Sequence, residues 1–288
     1  MAKQSGHDHN RQKKAAVIND FTGFGRCSLA VAAPILSAMK VQCCAVPTAI
    51  FTNHTGFEHF SWRDCTDRLD DYIRDWRATG LRFDAIASGF LGSARQVKFV
   101  RRFIDAFRTP KTLVVVDPVM GDYGKLYPTY DRNLAESMRE LMSVADVLTP
   151  NLTEACVLAN REYDPEIGDE GLEGLCSALA APRSARIVVS GIRRGDTIFN
   201  CVYKRGSRIE MIGTKAVGPD RSGTGDVFSS VIVGDLVRGT NFADAVRHAA
   251  DFVRHAMERT VEMDLPVTDG LAVEEVLGDL AARQPQWK

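Results

Sequence analysis

Gly223-Thr224-Gly225-Asp226 is the segment whose residue types and spacing point most directly to chemistry. The glycine turn opens an apolar run, Val227–Val233, and so places the Asp226 carboxylate in the first turn of a helix. Free backbone N–H groups and the positive end of the helix dipole make such a terminus an anion site. A carboxylate repels an anion, so Asp226 reads instead as a base that takes a proton from an attacking hydroxyl. Taken alone, the segment is equally an ordinary glycine turn with an acidic first helical turn. Three other segments sharpen the reading. Asp117-Pro118-Val119-Met120-Gly121-Asp122 ends a buried apolar run, and two carboxylates five residues apart on such a loop suit magnesium or potassium near phosphates. Thr149-Pro150-Asn151-Leu152-Thr153-Glu154 has the spacing of a capping box, Asn151 as cap and Glu154 at the third helical position. Asn53-His54-Thr55-Gly56 offers an amide, an imidazole and a hydroxyl to a small polar ring, or closes a turn on its own side chains.

These segments need a scaffold that collects them, and the hydrophobic pattern supplies one. Apolar, β-branched runs mark strands at Ala15–Asn19, Gln42–Phe51, Phe83–Ser88, Thr112–Asp117, Asp146–Leu148, Arg186–Ser190, Thr197–Tyr203 and Arg208–Ile212. Helices are expected at Ser28–Met39, Trp62–Thr79, Ala94–Arg108, Asp131–Met142, Thr153–Ala159, Asp169–Ala180, Asp226–Arg238, Phe242–Glu262 and Val273–Arg283. The second rests on Trp62, Cys65, Leu69, Ile73 and Trp76 recurring at helical steps, with Gly80 as the stop and both tryptophans read as core. Such alternation implies an α/β fold, a mainly parallel central sheet with helices on both faces. Lys204-Arg205-Gly206-Ser207 joins two strands as an antiparallel hairpin toward the C-terminal half. Ligands of open α/β sheets bind at the carboxyl ends of the strands, where all four segments fall. No internal repeat or linker divides the body, so residues 15–288 read as one domain behind a polar, disordered leader at 1–14.

Composition excludes several classes. The 288 residues are 45% hydrophobic, ample for one large core, and the net charge is −1 from 36 basic and 37 acidic residues. A chain without a basic field is not expected to bind nucleic acid. No apolar run approaches the ~18 residues of a membrane span. Seven scattered cysteines without a C-x-x-C suit a reducing cytoplasm, with a reactive thiol conceivable only at Cys27. The P-loop, dinucleotide-binding, H-E-x-x-H and G-x-S-x-G signatures are absent.

With Thr52–Gly56, Asp117–Asp122, Thr149–Glu154 and Gly223–Asp226 in this order, the chain from Ala15 to about Val261 resembles the vitamin B6 (pyridoxal, pyridoxine, pyridoxamine) kinases of the ribokinase-like superfamily. The resemblance implies ATP-dependent phosphorylation of the 5′-hydroxymethyl group of the vitamer, with Mg²⁺ and K⁺ as cofactors, in a cytoplasmic homodimer. It makes Asp226 the catalytic base and Gly223, Thr224 and Gly225 the anion hole. On the vitamer side it implies Thr55 and Gly56, with Asn19 where many relatives carry a serine, Asp20 as a substitute contact, and Phe90 where some carry a tyrosine. On the nucleotide side it implies Asp117, Thr149, Asn151, Glu154 and Ser190, with Tyr127 beside a shortened covering loop, Tyr123–Leu126, and Lys215 and Arg221 at the phosphates or adenine. Asp117, Asp122 and Glu154 fall at the metal positions. Hydroxymethylpyrimidine kinase is the alternative enzyme. A sugar kinase fits less well, because no sugar-covering lid is evident near the N-terminus. A non-catalytic B6-binding protein is disfavoured by the intact Asp226.

Overall fold

The computed structural model describes residues 8–282 except Pro128, Thr129, Asp131, Pro182 and Ser184. In chain order the elements are β1 (Lys14–Phe24), α1 (Ser28–Ala38), β2 (Gln42–Asn53), β3 (Trp62–Asp64), α2 (Leu69–Thr79), β4 (Ala85–Ser88), α3 (Ala94–Phe107) and β5 (Leu113–Val116). A small hairpin follows, β6 (Gly121–Asp122) and β7 (Lys125–Leu126), then α4 (Arg132–Met142), β8 (Val147–Leu148), α5 (Leu152–Ala159) and α6 (Asp169–Leu179). The chain continues through β9 (Arg186–Arg194), β10 (Thr197–Lys204), β11 (Glu210–Lys215), α7 (Thr224–Val237), α8 (Phe242–Glu262) and α9 (Leu277–Ala282).

Nine strands form one sheet in the order β11-β10-β9-β8-β5-β4-β1-β2-β3. The six from β9 to β2 run parallel, while β10, β11 and β3 are antiparallel to their neighbours. Strand alternation divides the core in two. Ala16, Ile18, Ile86, Val114, Val116, Leu148, Ile187 and Val189 face the layer of α2 to α6. Ala15, Val17, Ala85, Ala87, Val115, Val147 and Val188 face α1, α7, α8 and α9. Both sets are buried because each face is covered, which is why these strands read as unbroken apolar runs. Helix α7 is apolar almost all round, as befits a helix wedged between α1 and α8.

The expected fold class therefore stands, with local corrections. The segment from Trp62 does not open a helix. Trp62–Asp64 pairs antiparallel with Ala49–Phe51 as the sheet's edge, a short 3₁₀ turn follows, and α2 begins at Leu69. Trp62 lies stacked on Phe51 and is 47% exposed, whereas Trp76 packs on Phe83 and Phe103 as expected. The hairpin of β10 and β11 is present, but β9 also runs on past Ser190 and turns at Gly195 into β10, adding a second antiparallel pairing. The last expected helix divides into a 3₁₀ turn at Val273–Glu275 and α9; its end at Arg283, and the expected start of α4 at Asp131, lie outside the described residues. Within the expected leader, Lys14 already belongs to β1, the Lys13 ammonium contacts Asp84, and Asn10 bonds to the backbone of Gly80 and Arg82. Residues 1–7 lie outside the description.

Candidate active site

The carboxyl ends of β4, β5 and β8 deliver Ser88, Asp117 and Thr149 to one rim, and the middles of the longer β1 and β9 add Asn19, Asp20 and Ser190. Helix α7 points its N-terminus at the same rim. Its cap, Gly223, has φ +80°, and a Cβ there would lie 2.1 Å from the Arg26 carbonyl oxygen, so only glycine lets this turn seat on the β1–α1 loop. The Thr224 hydroxyl donates to the Arg221 carbonyl at 2.8 Å and fixes the turn from within. The first turn of α7 begins at Thr224, so the N–H groups of Thr224 and Gly225 have no acceptor within the helix itself.

Asp226 follows in the first turn. Burial and the nearby Asp20 raise its pKa to about 6, while the Ser28 backbone N–H and the Asn19 amide hold it down. Asn19 Nδ2 donates to Asp226 Oδ1 at 3.0 Å. Behind them lies a cavity of about 20 Å³, with Asn19, Ser88, Asp117, Asp226, Ser229 and Ser230 as its polar lining, room for about one water. The Asp20 carboxylate is engaged by the hydroxyls of Ser28 at 2.6 Å and Thr22 at 2.8 Å. It therefore braces the β1–α1 turn, and the expected ring contact by Asp20 is not what this geometry favours. Cys27 is buried beside it. Burial first, then Asp226 and Asp20, push its thiol up to about 12, which removes the expected reactivity.

On the other flank, Asn53–Gly56 is docked by its histidine. Gly56 N–H donates to His54 Nδ1 at 3.1 Å, which leaves Nε2 to donate to the Thr268 carbonyl at 2.8 Å. Gly25, at φ +118°, lies so close that a Cβ would be 2.2 Å from the ring, and Phe57 packs beside it. Asn53 donates to the His59 carbonyl at 2.9 Å. The amide and imidazole of this motif thus hold the loop, and Thr55 and Gly56 are its exposed members. Phe90 completes the flank: its N–H bonds to Asn19, and its ring meets Phe51 and Tyr130 edge-on.

On the flank expected to meet the nucleotide the capping box is present, and Glu154 does more than cap. Its Oε2 accepts from Asn151 N–H at 2.8 Å and its Oε1 from Met120 N–H at 3.0 Å, while Asn151 Nδ2 donates to the Gly121 carbonyl at 2.8 Å. Burial, reinforced by Asp117, raises the Glu154 pKa; burial, reinforced by Asp226, raises that of Asp117. Burial and Asp220 raise Asp122 to about 6. Ser190 donates its N–H to the Pro150 carbonyl at 2.9 Å and joins Asn151 through a β-bridge. The loop expected to cover the nucleotide forms the β6–β7 hairpin, where the Tyr123 hydroxyl donates to Asp220 and the exposed Tyr127 follows. Lys215 lies exposed at the end of β11. Arg221 donates from its two terminal nitrogens to the carbonyls of Pro266 and Leu265, and its Nε is buried without a hydrogen-bond partner.

Two observations bear on a cation. Among the described residues, no three histidines, cysteines or carboxylates form a ready-made metal cluster, so Asp117, Asp122 and Glu154 are not a closed ligand set. Yet every donor is oxygen, burial and neighbouring carboxylates raise the pKa of Asp117 and Glu154, and Thr149 Oγ1 is buried without a hydrogen-bond partner. That set fits hard cations that complete their shells with water and phosphate oxygens. The sequence reading missed Ser88, whose hydroxyl is likewise buried and unpartnered, and the exposed apolar trio Val261, Met263 and Val267 near Arg221's anchor. No motif marks any of these.

A mainly parallel sheet covered on both faces, with an antiparallel hairpin in its C-terminal half and a glycine turn followed by a carboxylate at its rim, is the fold of a ribokinase-like kinase. The chain belongs to the phosphomethylpyrimidine kinase family, whose model matches residues 35–268. It is 31% identical to the pyridoxine/pyridoxal/pyridoxamine kinase of Bordetella avium over 82% of each chain. A crystal structure from Bacteroides thetaiotaomicron, provisionally named a phosphomethylpyrimidine kinase, superposes with a TM-score of 0.92 at 37% identity over 96% of both chains. An orthorhombic form with pyridoxal, from the same organism and with the same provisional name, gives 0.90 at 35% identity over 96% of this chain and 99% of that one. Pyridoxal kinase from Lactobacillus plantarum gives 0.87 at 28% identity over 94% and 97%.

Proposed function

We propose that this enzyme transfers the γ-phosphoryl group of ATP to the 5′-hydroxymethyl group of pyridoxal, pyridoxine or pyridoxamine. The observation that carries the reading is the His54-anchored Asn53–Gly56 loop, which closes the same rim as Asp226 and the α7 N-terminus. A relative with 35% identity crystallised with pyridoxal supports the same choice. In this reading Thr55 addresses the pyridine ring and Phe90 flanks it. Asp226 takes the hydroxymethyl proton as the oxygen attacks, and the amides at Gly223–Gly225 receive the γ-phosphoryl oxygens. Phosphoryl transfer asks the protein mainly for such positioning and charge stabilisation.

Asp122, with Glu154 behind it, would hold magnesium; Asp117, Thr149 and Ser190 would hold a monovalent cation, with potassium the best fit to neutral and anionic oxygens. Bound magnesium neutralises the polyphosphate and orients its γ-group. Glu154, engaged twice by backbone N–H groups, acts mainly by holding the Asp117–Asp122 loop in place. In this reading Lys215 and Tyr127 flank the nucleotide, and Arg221 supports the polar stretch before the anion hole through the carbonyls of Leu265 and Pro266.

The second reading is hydroxymethylpyrimidine as acceptor; the matched family's description names a pyrimidine that already bears a phosphomethyl group, and so supports the pyrimidine ring rather than the hydroxymethyl acceptor. Both substrates present a hydroxymethyl group on a nitrogen heteroaromatic ring, so separate turnover measurements on each decide between them. No helix among the described residues is long and apolar enough to cross a membrane, in keeping with a cytoplasmic enzyme of small-molecule metabolism. A homodimer is supported by exposed Phe21, Phe24, Ile50, Phe60 and Trp62, gathered where β1, β2 and the edge strand β3 end.

A further inference from the structure

The Asn19 side chain has no freedom in how it presents its amide. Its Oδ1 accepts from two backbone N–H groups, Phe90 at 2.8 Å and Asp20 at 3.0 Å. Both partners are donors, so the oxygen is the atom that must face them, and the NH₂ end is left to the Asp226 carboxylate at 3.0 Å. Gly89 makes this possible: a Cβ there would lie 2.5 Å from the amide nitrogen. Asn19 is itself 5% exposed and sits where the β1–β2 register slips beside Pro47.

We infer that Asn19 is a positioning residue for the phosphoryl-transfer base, holding one oxygen of Asp226 so that the other addresses the acceptor hydroxyl, rather than a contact to the substrate ring. Asp226 needs such a partner. The titratable groups around it are Asp20 from β1, Asp117 from the end of β5, Cys27 from the β1–α1 loop and Tyr127 beyond β7, none of them a cation. The neutral donors from Asn19 and the Ser28 backbone are what oppose that crowding.

This inference rests on the proposed phosphoryl transfer, and one experiment separates the two. Asn19→Asp keeps an oxygen acceptor for both N–H groups but replaces the donor facing Asp226 with a carboxylate. Steady-state kinetics and calorimetric binding of pyridoxal are measured for wild type, Asn19→Asp, Asp226→Asn and the double variant. An orienting role predicts a kcat loss of roughly tenfold to a hundredfold for Asn19→Asp. Pyridoxal Kd should stay within about twofold, and the further loss in the Asp226→Asn background should be under about threefold. A ring contact predicts the reverse, a Kd weakened about tenfold with kcat nearly held and full additivity, and would overturn the inference. Should Asn19→Asp fail to fold, Gly89→Ala displaces the amide by its methyl alone and should show the same kcat-specific loss; an unchanged kcat in that folded variant overturns the inference too. If wild type ignores pyridoxal but phosphorylates hydroxymethylpyrimidine, the vitamer reading fails and the same cycle is read on that substrate. A wild type silent on both removes the kinase reading and the orienting role with it.

Discussion

Asp226 carries a proton affinity raised by burial and by Asp20 and pulled back by Asn19 and Ser28, and both activity and stability depend on the balance. In the proposed mechanism Asp226 must be deprotonated to act as the base, so kcat is expected to fall as pH drops through about 6, which a pH–rate profile checks. A carboxyl whose pKa rises on folding binds its proton more tightly in the native state. Its cost to stability is absent below the unfolded value near 3.8, grows as pH rises, and is complete above about 6. Asp226→Asn should therefore cut turnover by about 10²–10⁴-fold and yet raise the melting temperature at pH 7 by ~2–4 °C, the shift worth about 1 kcal/mol in a chain of this size. Loss of turnover with a lowered melting temperature would mean the variant merely unfolds the site. Thr55→Val, at an exposed position of the docked loop, should weaken vitamer binding a few-fold to about tenfold and leave the ATP Michaelis constant in place. At this scale Asp226 and Gly223 were legible because a glycine turn followed by an acid at a helix start is a local pattern. The role of Asn19 was not, since its partner lies 207 residues away and its orientation is set by the N–H of Phe90.

Among the elements, the α7 terminus and the loop after β5 are the two that position charge. Gly223→Ala combines φ +80° with a Cβ 2.1 Å from the Arg26 carbonyl oxygen, so it should both destabilise the chain and displace the anion-hole amides. A folded Gly223→Ala enzyme with normal kcat would show that the turn does not hold the transferring group. Glu154→Gln replaces one acceptor oxygen by a donor facing either Met120 N–H or Asn151 N–H. The Asp117–Asp122 loop should loosen, at a cost of about 1–3 kcal/mol, and the magnesium concentration for half-maximal rate should rise more than the vitamer Michaelis constant. An unchanged magnesium dependence would confine Glu154 to capping. Helix α8 was legible to the residue because Asn241 caps a 21-residue amphipathic stretch. The segment from Trp62 was not: its apolar spacing fits a helix, but pairing with Ala49–Phe51 and the Trp62–Phe51 stack win over periodicity for its first three residues. The β9–β10 turn was missed for a related reason: the apolar run ends near Ser190, while the strand continues through the polar Arg193-Arg194 to pair with Thr197 and Ile198.

At the scale of the whole molecule, the two covered faces follow from strands buried on both sides, and that signal was plain in the apolar runs, whereas the strand order is visible only in the structure. The open edge at β3 was hidden because its exposed aromatics look like core in sequence. If Phe24, Ile50 and Trp62 meet a second copy there, sedimentation should show a dimer at micromolar concentration, and Ile50→Lys with Trp62→Lys should yield a folded monomer; a wild type that stays monomeric would contradict the homodimer. The account as a whole turns on one reaction. The direct measurement is ATP consumption and phosphorylated product, by ³¹P NMR, for wild type and Asp226→Asn with pyridoxal, pyridoxine, pyridoxamine and hydroxymethylpyrimidine offered separately in magnesium and potassium. The account predicts a vitamer 5′-phosphate with wild type, at a higher kcat/KM than with hydroxymethylpyrimidine, and its near-abolition in the folded variant. Turnover confined to hydroxymethylpyrimidine, or vitamer phosphorylation that survives in Asp226→Asn, would contradict it.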